Sequence, residues 1–163
     1  MSASASISLL LLSSDRYCVS VSSTVCTSPS SSFITYNAWV HLAVVRKSTV
    51  VSLYINGVAD AVTTTVTDTG ASPSTFTLYV GGKGWQASSF TGYMTSIRAV
   101  AGTAVYTSNV VLTRLPLSAI RGTQLLLLTA SADTLLIDSS TASLVFANPN
   151  KATYAGFSPF TGT

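Results

Sequence analysis

The chain contains no glutamate, and charge of either sign is scarce. Its 163 residues include eight Lys or Arg and five acids, all of them aspartate. Long surface helices are usually built from Glu, Lys and Arg, so this composition disfavours them. Two-carboxyl glycoside hydrolysis would have to use aspartates alone, and the two closest in sequence are Asp133 and Asp138. We therefore predict that the protein is not an enzyme.

Basic clusters and long apolar runs are also missing. The eight basic residues are scattered, and Arg46-Lys47 is their only adjacent pair. A protein that tracks phosphates needs a basic stripe, so we predict no nucleic-acid partner. The apolar run at residues 7–12 is interrupted by Ser8 and is far shorter than the roughly 20 residues of a membrane-spanning helix. No basic residue precedes this run, and we predict neither membrane insertion nor a signal peptide.

Metal ligands and catalytic bases are few. One histidine and two cysteines cannot supply the four ligands of a structural zinc site, and five aspartates make a dedicated calcium site a poor fit. We therefore expect no metal and no cofactor. His41 stands between apolar neighbours in a predicted strand, which is typical of a hydrogen-bonded structural histidine. Asp138 precedes Ser139-Ser140 and is expected to be a turn-stabilising carboxylate.

The two cysteines, Cys18 and Cys26, lie eight positions apart. If the segment between them is a hairpin turning near Ser22-Ser23, the two residues face each other at a separation compatible with a disulfide. The other interpretation is a pair of small, buried or half-buried thiols that never bond, and we take it as the default.

What the sequence has in abundance is hydroxyl groups and β-forming residues. It contains 27 Ser and 23 Thr, and 47% of its residues are apolar. Short runs of β-branched and aromatic residues alternate with Ser, Gly, Asn and Pro every eight to twelve positions or so, a pattern typical of an all-β sandwich or barrel. Asn56-Gly57 marks a hairpin turn. We predict one domain over residues 1–163, an antiparallel β-sandwich of jelly-roll type.

The predicted strands follow this pattern along the whole chain, and the Ser-rich residues 28–32 are the most linker-like segment between them. Residues 39–47 carry apolar side chains on both faces, which predicts a central strand with Trp39 in the core. The four leucines at 125–128 predict a buried strand. The strands are expected at residues 7–12, 16–21, 33–36, 39–47, 49–56, 59–66, 76–81, 90–101, 124–129, 135–138 and 144–147.

One glycine-rich loop is the best candidate for ligand contact. It reads Gly81-Gly82-Lys83-Gly84-Trp85-Gln86, and an exposed indole beside Lys83 and Gln86 suits a sugar ring, with Tyr93 as a further candidate. Two alternatives stay open. Trp85 either folds back as a lid over a sheet edge or packs against a neighbouring subunit.

Several motifs occur in an order that resembles the concanavalin A-like lectin/glucanase superfamily, and within it the laminin G-like modules. They are Trp39-Val40-His41-Leu42-Ala43, then Leu53-Tyr54-Ile55-Asn56-Gly57, then Val80-Gly81-Gly82, then Phe90-Thr91-Gly92 leading to Ile97-Arg98, and finally Ala104-Val105-Tyr106-Thr107. The resemblance covers about residues 33 to 130 and implies a concanavalin A-like β-sandwich.

Three departures from the family pattern limit what the resemblance implies. The Glu-x-Asp-x-x-Glu strand of the glucanase branch cannot exist without glutamate, so hydrolase activity is not carried over. The legume-type metal cluster has no counterpart either. The front end also looks short, so that either the C-terminal strands or a neighbouring chain would complete the sandwich.

The closing segment, residues 125–140 followed by Phe157-Ser158-Pro159-Phe160, is similar to module arrays of phage and other viral surface proteins. This likeness implies a non-catalytic structural or surface module of a virion or extracellular assembly, of capsid-decoration, fibre or tail type. Its partners would be other subunits, as a homo-oligomer, and a host surface. The tail at 131–163 would donate a strand or form an interface. The alternative is a carbohydrate-binding lectin module that contacts a cell-surface glycan.

Overall fold

The computed structural model describes residues 7–11, 14–21, 28–65, 79–82, 90–148, 151–156 and 158–160. The chain divides into two compact units. Unit 1 comprises residues 1–72 with 103–113, and unit 2 comprises residues 73–102 with 114–163. The described secondary structure is all-β and antiparallel apart from one short 3₁₀ helix, which confirms the predicted fold class.

Unit 1 contains two three-stranded sheets. The first has the order β1 (Ile7–Leu11), β2 (Arg16–Val21) and β3 (Ser28–Phe33), and the second has the order β4 (Leu42–Lys47), β5 (Val50–Ile55) and β6 (Val58–Thr65). Consecutive strands are antiparallel neighbours in both sheets.

The core of unit 1 lies between these two sheets. Tyr17 and Val19 of β2 meet Val51 and Leu53 of β5, and all four are at most 4% exposed. The members of each pair are two positions apart, as expected for the inward face of a strand. Burying a leucine such as Leu53 contributes about 2 kcal/mol, so this cluster joins the sheets as the two layers of a β-sandwich.

The turn after β5 has the predicted geometry. Asn56 and Gly57 both have positive φ, +51° and +80°, as a two-residue type I′ hairpin requires. A Cβ at Gly57 would lie 2.3 Å from the Val110 carbonyl oxygen. The backbone amide of Val110 donates a hydrogen bond to the Gly57 carbonyl at 2.8 Å, which holds the two segments together. Only glycine therefore fits where residues 103–113 cross this turn.

Unit 2 contains a two-stranded sheet of β7 (Ile97–Val100) and β8 (Thr123–Leu127), followed by the 3₁₀ helix Ala132–Thr134. The consecutive residues Leu125, Leu126 and Leu127 are at most 3% exposed, so β8 is covered on both faces. This burial confirms the strand predicted from the leucine run. An isolated bridge joins Leu127 to Asp138.

Several strand predictions were wrong. The Ser-rich segment thought to be a linker forms β3, because Ser30 is fully buried and its hydroxyl accepts the Tyr17 amide at 3.1 Å where the β2–β3 register shifts. Trp39 is 38% exposed and precedes β4 instead of lying in the core. Residues 79–81, 90–96, 135–137 and 144–147 form no strand. The first half of the predicted strand at 76–81 lies outside the described residues.

The pairing of β2 with β3 corrects the expected position of the cysteines. Cys18 lies directly opposite Pro29, which is three positions after Cys26 in the sequence. Cys18 is fully buried and disulfide-bonded, which overturns the default interpretation of an unbonded thiol. Cys26 is the only other cysteine of the chain but lies outside the described residues, so its pairing with Cys18 stays a prediction.

Candidate functional site

The predicted sugar-binding loop falls mostly outside the described residues. Lys83, Trp85 and Gln86 all lie there, and their role stays a prediction. Tyr93 is described, belongs to unit 2 and is 59% exposed. Its exposure is compatible with ligand contact but does not test it.

A different feature of unit 1, which we call the Phe33 groove, presents groups suited to ligand contact. It is a depression of about 320 Å³ between β3 and the β5–β6 hairpin. One side carries Phe33 and the hydroxyl groups of Ser31, Ser32 and Thr35. The other side is formed by Ile55, Asn56, Val58, Ala59 and Asp60.

Asp60 forms the floor of the Phe33 groove and connects the two sheets. It is only 8% exposed, and its Oδ1 accepts the Ser31 amide at 2.9 Å. Its Oδ2 accepts the Ser31 hydroxyl at 2.9 Å and the Ser32 amide at 3.2 Å. Charge-assisted hydrogen bonds to backbone amides offset the cost of burying a carboxylate, so Asp60 holds the edge of β3 against β6.

Phe33 forms the aromatic rim of the groove. Its ring is 62% exposed, and the Arg16 guanidinium carbon lies 4.4 Å from the ring centroid. The same guanidinium donates to the Ser30 carbonyl at 2.6 Å. A cation on one ring face is attracted by the ring quadrupole, so Arg16 restrains Phe33 while most of the ring stays accessible.

Asn56 supplies an amide on the opposite side. Its Oδ1 accepts the His41 amide at 2.9 Å, and its own backbone amide donates to the His41 carbonyl at 2.8 Å. Because Oδ1 is occupied, the Nδ2 group is the part of this exposed side chain that can meet a ligand. Within the described residues, the structure shows no acceptor for Nδ2 and no partner for the Thr35 hydroxyl.

The single histidine belongs to an aromatic cluster of unit 1. His41 Nε2 lies 3.3 Å from the Tyr106 hydroxyl, and the two rings are 5.8 Å apart. Tyr54 packs edge-on against Tyr106 at 5.5 Å. These contacts agree with the hydrogen-bonded structural histidine expected from the sequence.

Asp138 has the role that its sequence context predicts. Its Oδ1 accepts the amides of Leu126 at 2.8 Å and Ser140 at 2.9 Å, and its Oδ2 accepts the Ser140 hydroxyl and the Leu144 amide, both at 2.8 Å. Burial by itself would raise the pKa of this carboxyl. The hydrogen bonds from Leu144, Leu126 and Ser140 outweigh burial and lower the pKa of Asp138 below its ordinary value.

Asp15 has another kind of partner, the hydroxyl of the exposed Tyr36. This hydrogen bond, together with smaller contributions from burial and from the negative charge of Asp15, raises the pKa of Tyr36. Asp60 and Asp138 are thus buried acceptors of several hydrogen bonds, whereas Asp15 accepts one hydrogen bond at the surface.

Sequence reasoning missed Phe33, Thr35, Asn56 and Asp60 as possible ligand contacts. Phe33 was assigned to the start of a strand, and Asn56 was recognised only as a turn residue. The available signal was Asp60 itself, a charged residue within Val58-Ala59-Asp60-Ala61-Val62. A carboxylate in an apolar strand needs hydrogen-bond donors from elsewhere, but the sequence does not reveal which segment provides them.

Within the described ranges, metal-binding clusters and membrane-spanning helices are both absent. No group of three or more His, Cys, Asp or Glu side chains is placed to hold a metal ion there. No helix in that part of the chain has the length and apolar character needed to cross a membrane.

Comparison with known proteins identifies the family. A laminin G-type family model described as the concanavalin A-like lectin/glucanases superfamily matches residues 1–104. No curated protein and no solved structure matches the chain. Since the match covers more than half of the chain, the protein belongs to the concanavalin A-like lectin/glucanases superfamily. Its laminin G-like domain is of a kind that can be a lectin-like or a structural module.

The extent of the match corrects the coverage inferred from the motifs. It begins at residue 1 and so includes β1, β2 and β3, which the motif-based resemblance included only weakly. It ends at residue 104, before β8. The front of the chain is therefore part of the family domain, and in unit 1 it supplies the sheet that faces β4–β6.

Proposed function

We propose that this protein is a non-catalytic structural module of a virion or similar extracellular assembly, which acts through contacts with other subunits. The proposal is more specific than the family assignment, because members of the family can be either lectin-like or structural modules. The virion setting and the host surface as a partner come from the likeness of the closing segment to viral surface modules. The subunit contacts come from the strand edges of unit 1.

One observation carries the proposal: among the strands that the structure describes, β1 lies at a sheet edge and lacks the features that normally prevent edge pairing. Its sequence Ile-Ser-Leu-Leu-Leu has no charge and no proline, and Leu9 is 36% exposed. An uncharged apolar edge offers backbone donors and acceptors to another chain. Among the described strands of unit 1, β1 is thus the best suited to strand addition.

The other three edge strands of unit 1 are each protected. β3 contains Pro29, which lacks an amide hydrogen, and its edge is held to β6 by Asp60. β6 carries that same carboxylate, turned toward β3. β4 ends in the exposed pair Arg46-Lys47, whose like charges oppose pairing with a second copy. The contrast supports β1 as the contact between subunits of a homo-oligomer.

The scarcity of charge supports the same function. Burying charged groups in an interface costs free energy that hydroxyl and apolar surfaces do not incur. Val111 and Val145 are 97% and 98% exposed. Within five positions on either side of each valine in the sequence, Arg114 is the only charged residue. Such surface can be covered by a neighbour at little desolvation cost.

The test is the native mass of the purified protein. We expect an oligomer by light scattering and native mass spectrometry, and we expect Leu9→Lys to convert it to monomer. Leu115→Lys introduces the same charge at a 61% exposed loop residue of unit 2 and serves as the matched control. Circular dichroism should show folded protein in both variants. A wild-type protein that stays monomeric at high concentration would refute the assembly role.

A further inference from the structure

We infer that unit 1 carries a binding site for a small organic anion with an elongated apolar body, an alkyl carboxylate. The site, which we call the Tyr106 pocket, is a depression of about 360 Å³ between the β4–β5 hairpin and the chain at Tyr106 and Thr107. It shares no residue with the Phe33 groove or with β1. The inference goes beyond the assembly role and does not depend on it.

The floor of the Tyr106 pocket is the face of the hairpin that points away from the core. Val51 of β5 faces the core, so its neighbours Val50 and Ser52 face outward. The strand register places Val45 opposite Ser52 and Lys47 opposite Val50. Side chains from both strands therefore share one surface, which has a cation at the turn and apolar groups beyond it.

An ordered aromatic ring closes the other end of the pocket. The ring of Tyr106 lies 5.5 Å from the ring of Tyr54, and its hydroxyl lies 3.3 Å from His41 Nε2. A ring that is already held in place loses little conformational entropy when an apolar ligand packs on it. Because Tyr54 is four residues after Val50 in β5, an apolar body has about 13 Å along the strand between the turn and this ring.

The charge of the pocket favours an anion. Lys47 is the only charged residue that lines it, and Lys47 forms no hydrogen bond or ion pair with any described residue. Arg46 adds a second positive charge at the same turn, where its Nε donates to the Ser48 carbonyl at 3.1 Å. Asp15 and Asp60 accept hydrogen bonds from other side chains of unit 1. A ligand carboxylate would give Lys47 the opposite charge that the described residues do not supply.

The remaining polar groups suit a single anionic head group. The hydroxyls of Ser48, Ser52 and Thr107 make no hydrogen bond with the described residues, and each can donate to an anion. Ser48 follows Lys47 directly, so an ammonium and a hydroxyl are available at one end. A polyanion would need further cations along the floor, whereas a wholly polar molecule would leave the apolar floor unused.

The test compares three probes that share one alkyl chain length and differ in the head group: decanoate, decanol and decyltrimethylammonium, each below its micelle-forming concentration. Calorimetry measures affinity, and amide shifts in nuclear magnetic resonance spectra locate the site. We expect decanoate to bind about fivefold more tightly than decanol, because an ion pair with an exposed lysine contributes modestly. Decyltrimethylammonium should bind more weakly than decanol. The amides of Val45, Ser52 and Thr107 should shift.

Two substitutions remove one property each. Lys47→Met removes the charge but keeps an unbranched side chain, so decanoate should lose its advantage over decanol. Ser52→Leu fills the floor and should weaken binding of decanoate and decanol at least tenfold, about the effect of losing the apolar contact. Lys47→Arg keeps the charge, and Arg114→Met removes an exposed cation of unit 2. These two are the controls, and both should bind decanoate as the wild type does.

Three results would overturn the inference. One is the absence of decanoate binding to the wild type, and another is equal affinity for decanoate and decanol. The third is an equal loss in Lys47→Met and Arg114→Met, which would show attraction to positive charge in general. Native mass should be the same with and without decanoate, so this inference and the assembly role can fail separately.

Discussion

Two buried aspartates, one in each unit, hold their surroundings together in different ways. Asp60 and Asp138 are both 8% exposed, and each accepts several hydrogen bonds. The donors to Asp138 include Ser140 and Leu144, two and six positions away, whereas the donors to Asp60 are 28 and 29 positions away on β3. Asp138 thus organises a local loop, and Asp60 connects two sheets.

The comparison shows why the roles of two equally buried residues are not equally predictable from the sequence. A carboxylate followed at once by serines finds donors within its own turn, so the role of Asp138 follows from neighbouring residues. The donors to Asp60 reach it only after β3 and β6 have been brought together by folding. Its role therefore depends on topology.

The largest effect is expected for Asp138→Ala. The substitution leaves the amides of Leu126, Ser140 and Leu144 without their acceptor, and Leu126 lies in a fully covered strand. Unpaired buried donors cost about 1–3 kcal/mol each when water cannot reach them, so we expect a loss of about 3 kcal/mol in the free energy of unfolding. Urea denaturation measures it, with Asp133→Ala as the control because Asp133 is exposed. A loss below about 1 kcal/mol would contradict the importance of this loop.

A smaller loss, about 2 kcal/mol, is expected for Asp60→Ala, which removes the acceptor of two backbone amides and one hydroxyl. Solvent can reach Ser31 and Ser32 once the carboxylate is gone, since both are exposed. Hydrogen exchange should speed up at these two amides, far from Asp60 in sequence. If the substitution speeds up hydrogen exchange only at amides of β6, then Asp60 does not connect the two sheets.

Acid should distinguish the wild type from Asp138→Asn. The pKa of Asp138 in the folded protein is lowered from its ordinary value of 3.8, so ionised Asp138 stabilises the fold above that pH. This stabilisation is lost as the pH falls from about 4 through the folded-state pKa. Chemical denaturation at pH 2 to 7 should show a smaller decrease in the free energy of unfolding for Asp138→Asn. If the free energy of unfolding decreased equally with falling pH in the two proteins, the lowered pKa of Asp138 would be contradicted.

The smallest effect is expected at the exposed pair of Asp15 and Tyr36. Their hydrogen bond raises the pKa of Tyr36, and Asp15→Asn should shift its ionisation back to lower pH. Ultraviolet titration measures this shift, with Tyr36→Phe identifying the signal. We expect no measurable change in thermal stability from either substitution, because exposed pairs contribute little. A change comparable to that of Asp60→Ala would show that this pair, too, is structural.

Much of the fold was accessible from local pattern. The alternation in residues 16–21 predicted β2 with its observed bounds, and Asn56-Gly57 predicted a hairpin turn that has the required positive φ at both residues. The Ser-rich strand β3 was not predictable, because its stability comes from Tyr17, Arg16 and Asp60 on other strands. The prediction that Trp39 lies in the core was wrong because it assumed that the strand begins at Trp39, whereas β4 begins at Leu42.

The candidate site was the least predictable part. The expectation concentrated on Trp85 because an aromatic residue among glycines stands out in a sequence. The Phe33 groove combines β3 with the β5–β6 hairpin, and none of its residues is unusual in isolation. A site assembled from separate segments becomes visible only when the strand register places them side by side.

The amino-acid sequence by itself determined the antiparallel all-β class, the hairpin at Asn56-Gly57 and the local role of Asp138. It also excluded the glutamate-dependent catalytic strand of the glucanase branch, because residues that are absent cannot be supplied by folding. The tertiary structure decided that a serine-rich segment is a strand, that Asp60 joins two sheets and that Phe33, Thr35 and Asn56 share one groove. The physical reason is distance along the chain: propensities and turns act over a few residues, whereas buried hydrogen bonds and grooves require partners that only the packed sheets bring together.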